Sequence, residues 1–133
     1  MDDANDLYRQ YLLDVYKHLS HKHAIIEDEH TFSFETYNAS CGDRIQMHMH
    51  LDPLHEKIID MSFTGEGCLL STVSTELLAD AMIGKTLKDF IPITLVMQLD
   101  TMQIHPTPTR MKCIELPILS ANHLLQLSQN NMK

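Results

Sequence analysis

Apolar residues first recur at Leu7, Tyr8, Tyr11, Leu12, Val15, Tyr16 and Leu19. Steps of three and four place such residues on one face of an α-helix, so the spacing predicts an amphipathic helix from about Ala4 to Leu19. The stretch from His18 to His30 is rich in histidine and charge, has no strong period and reads as a connection. Phe32, Phe34 and Tyr37 mark a short β-prone run ending near Asn38. From Arg44 the alternation is strict: Ile45, Met47, Met49 and Leu51 on one side, Arg44, Gln46, His48 and His50 on the other. Successive side chains of a strand point to opposite faces, so this is a half-buried strand. Pro53 to Lys57 reads as a turn, after which Ile59, Met61 and Phe63 resume the alternation.

The period changes at Gly65-Glu66-Gly67-Cys68. Beyond it Leu69, Val73, Leu77 and Ala81 step by four, and Leu70, Ser74, Leu78 and Met82 form a parallel set, which predicts a helix to about Ile83 stopped by Gly84. Pro92 opens a further short helix with Ile93, Val96 and Met97 inward. The loop His105 to Thr109 separates it from a last helix starting near Arg110, and Pro117 inside that pattern implies a late start or a kink. These elements define an α+β class: a small antiparallel sheet of about three strands with helices packed on one face.

With 133 residues, 44% of them hydrophobic, the chain suits one domain spanning 1–133 with its core between about 7 and 127. Eighteen acidic against ten basic residues give a net charge of −8. That balance argues against nucleic-acid or anionic-membrane binding, which needs clustered Lys and Arg. No segment is long and apolar enough to cross a bilayer. The start Met1-Asp2-Asp3 is acidic where a signal peptide carries positive charge, so the expected setting is the cytoplasm, with reduced thiols.

The three cysteines sit at predicted junctions. Cys41 lies in the turn Ala39-Ser40-Cys41-Gly42-Asp43, with the Asp43 carboxylate two residues on. Cys68 lies at the mouth of a helix, where backbone N–H groups and the helix dipole favour a thiolate. Cys113, in Arg110-Met111-Lys112-Cys113, is expected in the first turn of the last helix among cationic groups. Inert packing is the common fate of cysteine. Three thiolates plus one carboxylate would instead complete a tetrahedral zinc site, with Zn–S near about 2.3 Å. The separations match no local CxxC pattern.

Taken in order, Cys41-Gly42-Asp43, Gly65-Glu66-Gly67-Cys68 with its Ser/Thr-rich helix, Gly84-Lys85, and Pro108-Thr109-Arg110-Met111-Lys112-Cys113 resemble the U-type iron–sulfur cluster assembly family. That family comprises IscU, the N-terminal domain of NifU, and SufU. The resemblance covers about Leu7 to Leu127. Leu7-Tyr8-Arg9-Gln10, Tyr16-Lys17, Cys41-Gly42-Asp43-Arg44-Ile45 and Lys112 before Cys113 look most like the SufU branch. In the IscU branch a ligating histidine stands where this chain has Lys112, which cannot coordinate while protonated.

The resemblance implies an IscU/SufU-like fold and a Zn²⁺ site formed by Cys41, Asp43, Cys68 and Cys113. It implies sulfur transfer, in which a PLP-dependent cysteine desulfurase of the SufS type hands its persulfide sulfur to Cys41. Arg110 is implied as a support for the thiolate cluster or a desulfurase contact, and downstream iron–sulfur assembly proteins as further partners. Two alternatives stay open. One is a scaffold assembling a transient [2Fe–2S] cluster on Cys41, Cys68 and Cys113. The other is a non-catalytic, zinc-stabilised binding module.

The chain departs from the family pattern in three places. The segment between Lys85 and Cys113 is short for a SufU. His105-Pro106-Thr107-Pro108-Thr109 replaces the Leu-Pro-Pro-Val-Lys chaperone motif of IscU, and Asn38-Ala39 replaces an Asn-Pro. The nine histidines raise a metal-buffer reading, with His48 and His50 on one side of a strand, but two imidazoles fall short of a zinc site and a solvated strand face explains them. His21 and His23 are weaker candidates.

Overall fold

The computed structural model describes residues 3–24, 28–38, 42–89 and 92–130. The chain begins with helix α1 (Asp3–Lys17) and continues into strands β1 (Thr31–Asn38), β2 (Asp43–Leu51) and β3 (Ile58–Glu66). These pair as an antiparallel meander in the order β1-β2-β3. Helix α2 (Leu69–Met82), a single 3₁₀ turn (Leu87–Asp89), α3 (Leu95–Met102) and α4 (Pro108–Asn130) follow. The sheet is the small three-stranded α+β sheet that the alternation implies. Among the described residues no helix is long and apolar enough to cross a membrane.

The core lies between the sheet and the helices. Ile45, Met47, Met49 and Leu51 of β2 are fully buried, as the alternation predicts. Phe32 and Phe34 of β1, paired with Met49 and Met47, pack against the same cluster. Helix α4 crosses β1 and β2, while α2 lies on β3 and is itself packed by α1, α3 and α4. The chain has no Trp, and Met47, Met49, Met61, Met82 and Met102 fill much of this interior. Methionine has three flexible torsions and adapts to irregular gaps that a rigid aromatic ring would fit poorly.

Because α2 is covered on most sides, its polar positions are buried as well as its apolar ones. Ser71, Thr72, Ser74, Thr75 and Glu76 all lie inside, and buried polar groups need partners. Glu76 accepts from the Ser20 N–H (3.1 Å), the Ser20 hydroxyl (2.8 Å) and the His21 N–H (3.0 Å). This fastens the segment after α1, whose Lys22 forms a parallel bridge with Phe63 on the edge of β3. Part of the stretch read as a patternless connection is therefore fixed to the edge of the sheet by this one bridge.

Four other expectations are corrected. Ile59 does not continue the core alternation. A bulge pairs His50 with Asp60 but Leu51 with Ile58, so Ile59 is the extra residue and faces out while Ile58 takes its buried place. The short helix does not open at Pro92: Thr94 caps it by accepting from the Met97 N–H (3.2 Å). Val96 and Met97, expected inward, are 68% and 47% exposed. The buried face is Gln98 and Met102, with the Gln98 amide donating to the Ser74 carbonyl (2.8 Å) and hydroxyl (2.9 Å).

The last helix starts at Pro108, a position where the missing N–H of proline costs nothing, and it runs without a late start through Pro117. An interior proline ordinarily costs about 3 kcal/mol, because it removes a helical hydrogen bond and crowds the carbonyls before it. Side chains of neighbouring elements also bond two carbonyls of the turn before it. The Ser74 hydroxyl donates to the Ile114 carbonyl (3.3 Å) and the Thr36 hydroxyl to the Leu116 carbonyl (3.1 Å). The Ser120 hydroxyl, one turn on, donates to the Phe34 carbonyl (2.9 Å) and stitches α4 to β1.

The histidines on the far face of the sheet are not simply solvated. His48 is buried, with its Nδ1 2.7 Å from the Ser33 hydroxyl. His50 Nδ1 lies 2.9 Å from the Thr31 hydroxyl. Each ring is tied to a hydroxyl of β1 rather than turned toward a shared metal.

Candidate metal centre

Three of the elements bring one donor residue each to the same place. Asp43 is the first residue of β2, paired with Asn38, the last residue of β1. The Gly42 N–H donates to the Asn38 carbonyl (2.8 Å), which closes the hairpin just before the aspartate. At the other end of this edge, Arg44 pairs with Glu66, so the chain leaves β3 beside Asp43 and reaches Cys68 two residues later. The carboxylate is 5% exposed.

Cys68 is the N-cap of α2. Its backbone is extended (φ −69°, ψ 170°), its carbonyl accepts the first helical bond from the Thr72 N–H (3.0 Å), and its sulfur accepts from the Ser71 N–H (3.5 Å). The sulfur thus faces the positive end of the helix dipole, as the Gly-x-Gly-Cys pattern implies. Cys68 reaches solvent. Cys113 is placed differently from expectation. The helix begins at Pro108, which puts Cys113 in its second turn, where it is 7% exposed and part of the packed interior rather than at a helix mouth.

Asp43, Cys68 and Cys113 each offer one donor atom, and these atoms all lie within 4.8 Å of one another. Among the described residues this is the one grouping of three or more His, Cys, Asp or Glu side chains close enough to hold a metal ion. Ligands at about 2.0–2.3 Å from a tetrahedral zinc stand somewhat under 4 Å apart. Two sulfurs and an oxygen at this spacing therefore fit such an ion after small side-chain adjustments. Cys41 lies outside the described residues.

A groove of about 910 Å³ opens onto the cluster. Cys68 and Cys113 line it together with Arg9 of α1, Arg110 of α4, Leu12 and Ile104. Arg110 precedes Cys113 by three residues in a continuous helix, so the two share a face, as expected from their spacing. Lys112 is exposed. Arg9 joins Arg110 in the same groove, two cations beside two thiols in a chain of net charge −8.

Two contributors escape a reading for metal ligands. Ser71 is fully buried, and its hydroxyl stands 3.1 Å from Asp43 Oδ2. Its position three residues after an N-cap is where a capping partner belongs, and that signal is present in Gly67-Cys68-Leu69-Leu70-Ser71. Arg9 lies in the Leu7-Tyr8-Arg9-Gln10 run that carries the resemblance, but nothing in α1 says which helix termini it will face.

The chain belongs to the family of NifU-like N-terminal domains, whose family model matches residues 7–123. It is 33% identical over 101 residues to a protein of Bacillus subtilis strain 168 named zinc-dependent sulfurtransferase SufU, a match covering 76% of this chain and 65% of that one. It is 30% identical over 93 residues to a protein of Streptococcus pyogenes serotype M1 named iron–sulfur cluster assembly scaffold protein IscU, covering 70% and 55%. The chain thus spans less than two thirds of the length of these curated relatives. The crystal structure of the N-terminal part of a nitrogen-fixing NifU-like protein from Brucella abortus has the same fold. Its TM-score is 0.73 at 12% identity, over 97% of this chain and 99% of that one.

Proposed function

We propose that this chain is a zinc-dependent sulfur-transfer protein of iron–sulfur cluster assembly, accepting sulfur from a PLP-dependent cysteine desulfurase of the SufS type in the cytoplasm. The observation that carries the reading is the convergence of Asp43, Cys68 and Cys113, residues far apart in sequence, on one metal-sized space. The Bacillus relative named a zinc-dependent sulfurtransferase supports zinc as the ion. Cys41 is the fourth ligand in this reading. Two peptide steps keep its Cα within about 7 Å of that of Asp43, a short reach to the cluster.

Bound zinc supplies a Lewis-acidic charge that holds its cysteine ligands as thiolates. Cys41 is the acceptor. Its thiolate attacks the outer sulfur of the donor persulfide, and the new S–S bond forms on Cys41 Sγ. The donor's S–S bond breaks and its cysteine leaves as a thiolate, so no external oxidant or reductant is needed. Arg110 and Arg9 place positive charge in the groove where anionic sulfur arrives. Sulfur held on Cys41 then passes to downstream iron–sulfur assembly proteins.

The test is cysteine turnover by a SufS-type desulfurase with and without this protein. Wild type accelerates turnover and becomes labelled on Cys41 by a persulfide-reactive alkylating probe, while Cys41→Ala does neither. A wild type that leaves turnover unchanged and unlabelled overturns the reading. The Streptococcus relative named an assembly scaffold supports a second reading, a transient [2Fe–2S] cluster on the same cysteines. Anaerobic reconstitution separates the two: a scaffold develops the visible absorption of a cluster in stoichiometric yield, and a zinc-dependent acceptor does not while zinc is bound.

A further inference from the structure

Ser71 touches two of the three donor residues at once. Its hydroxyl lies 3.1 Å from Asp43 Oδ2 and 3.6 Å from the Cys68 sulfur, and its backbone N–H donates to that sulfur at 3.5 Å. The same oxygen is 3.1 Å from the Cys68 carbonyl. A hydroxyl has one proton to give, and a carboxylate is the strongest acceptor among these neighbours, so the donation goes to Asp43. The residue is wholly buried, which shields that bond from competing water. Gly67 is part of the same arrangement. A Cβ built there would stand 2.4 Å from the Ser71 oxygen, and the next nearest atoms would be at ordinary contact distances of 3.5 and 3.6 Å.

We propose that Ser71 is the positioning residue of the metal centre, its hydroxyl locking the Asp43 carboxylate for the ion and its N–H fixing the Cys68 sulfur, with Gly67 keeping the space that hydroxyl occupies. The inference rests on the metal-centre reading above and deepens it. Without the hydroxyl a buried Asp43 has a rotation to lose before it can coordinate. Groups that orient a ligand in this way are typically worth about 10- to 100-fold in metal affinity.

The experiment is zinc affinity by chelator competition, with the visible spectrum of the Co²⁺-loaded protein as a report on ligand geometry. Ser71→Ala binds zinc about 10- to 100-fold more weakly and shifts the cobalt bands. Ser74→Ala, on the same helix, removes a buried hydroxyl bonded to the Ile114 carbonyl and so controls for loss of helix packing; it leaves both readouts unchanged. Gly67→Ala pushes the hydroxyl aside and weakens zinc as Ser71→Ala does, yet adds nothing in the Ser71→Ala background, where the clashing oxygen is gone. The comparison of Ser71→Ala with the double variant is readable even if Gly67→Ala alone folds poorly. Unchanged affinity and bands in Ser71→Ala, or additive effects of the two substitutions, overturn the proposal while the metal centre stands. A wild type that binds no zinc overturns both.

Discussion

Gly65 joins the sheet to the site, and replacing it has consequences that can be worked out from geometry. It sits in β3 opposite Ile45 with φ +122°, a conformation that L side chains rarely adopt. A Cβ there would stand 2.0 Å from the Arg44 carbonyl oxygen and 3.0 Å from its carbon, both backbone atoms that cannot swing away. Gly84 is the comparator: φ +89°, but open space around the added atom. For Gly84→Ala the left-handed strain of about 1–2 kcal/mol is offset by up to about 1 kcal/mol of unfolded-chain entropy, leaving a loss of about 1 kcal/mol. Gly65→Ala adds to that strain a clash relieved only by parting β2 from β3 by about 1 Å against a strand spacing of about 4.8 Å. Stretching two or three ladder bonds, each worth about 1 kcal/mol, brings the total loss to about 3–4 kcal/mol. Urea unfolding of the two variants measures the difference. Arg44 directly follows Asp43, so the displaced strand also carries the carboxylate away from the sulfurs, and zinc affinity falls in Gly65→Ala but not in Gly84→Ala. Equal stability of the two variants would refute the close approach of Arg44 and Gly65.

Three further outcomes follow. Glu76→Ala leaves three donors of Ser20 and His21 without their carboxylate and lowers stability by about 2 kcal/mol, with amide exchange rising along residues 20–23 before the rest of the sheet. The Asp52 carboxyl is held below the ordinary aspartate range by the Lys57 and Glu56 N–H groups that donate to it. A depressed folded-state value means its stabilisation is present above the unfolded value and lost as pH falls through the folded one, so Asp52→Asn lowers stability at neutral pH, flattens the acid limb of unfolding below about pH 4 and matters least in acid, where the wild-type carboxyl is protonated. Arg110→Ala leaves zinc affinity unchanged but weakens desulfurase activation, since a groove cation that is not a ligand acts on the incoming anion; loss of zinc instead would make Arg110 part of the metal site.

Much of this arrangement is readable from the residues. The alternation from Arg44 to Leu51 states both the strand and its buried face, because a period of two has one interpretation on a half-covered sheet. Ile59 misleads because a bulge depends on where β3 meets β2, which no local pattern records. Val96 and Met97 mislead because an eight-residue helix offers too few turns to say which side is covered; here the amide of Gln98 and its bond to Ser74 decide it. The buried serines and threonines of α2 show the same limit, since a helix packed by four elements turns only its C-terminal end, at Asp80 and Ala81, to solvent. At the site, the identities of Asp43, Cys68 and Cys113 follow from ordered motifs, whereas their convergence depends on β3 returning beside the start of β2. The burial of Cys113 in the second turn of α4 is set by packing of that helix against the sheet and α2.

X-ray absorption at the zinc edge of the purified protein tests most directly whether these cysteines and one carboxylate hold a metal. The predicted spectrum is that of one zinc per chain with three sulfurs at about 2.3 Å and one oxygen at about 2.0–2.2 Å. One sulfur should be lost in each of Cys41→Ala, Cys68→Ala and Cys113→Ala, and the oxygen shell should change in Asp43→Ala. Zinc bound through imidazole nitrogens, or a spectrum indifferent to Cys68 and Cys113, would contradict it.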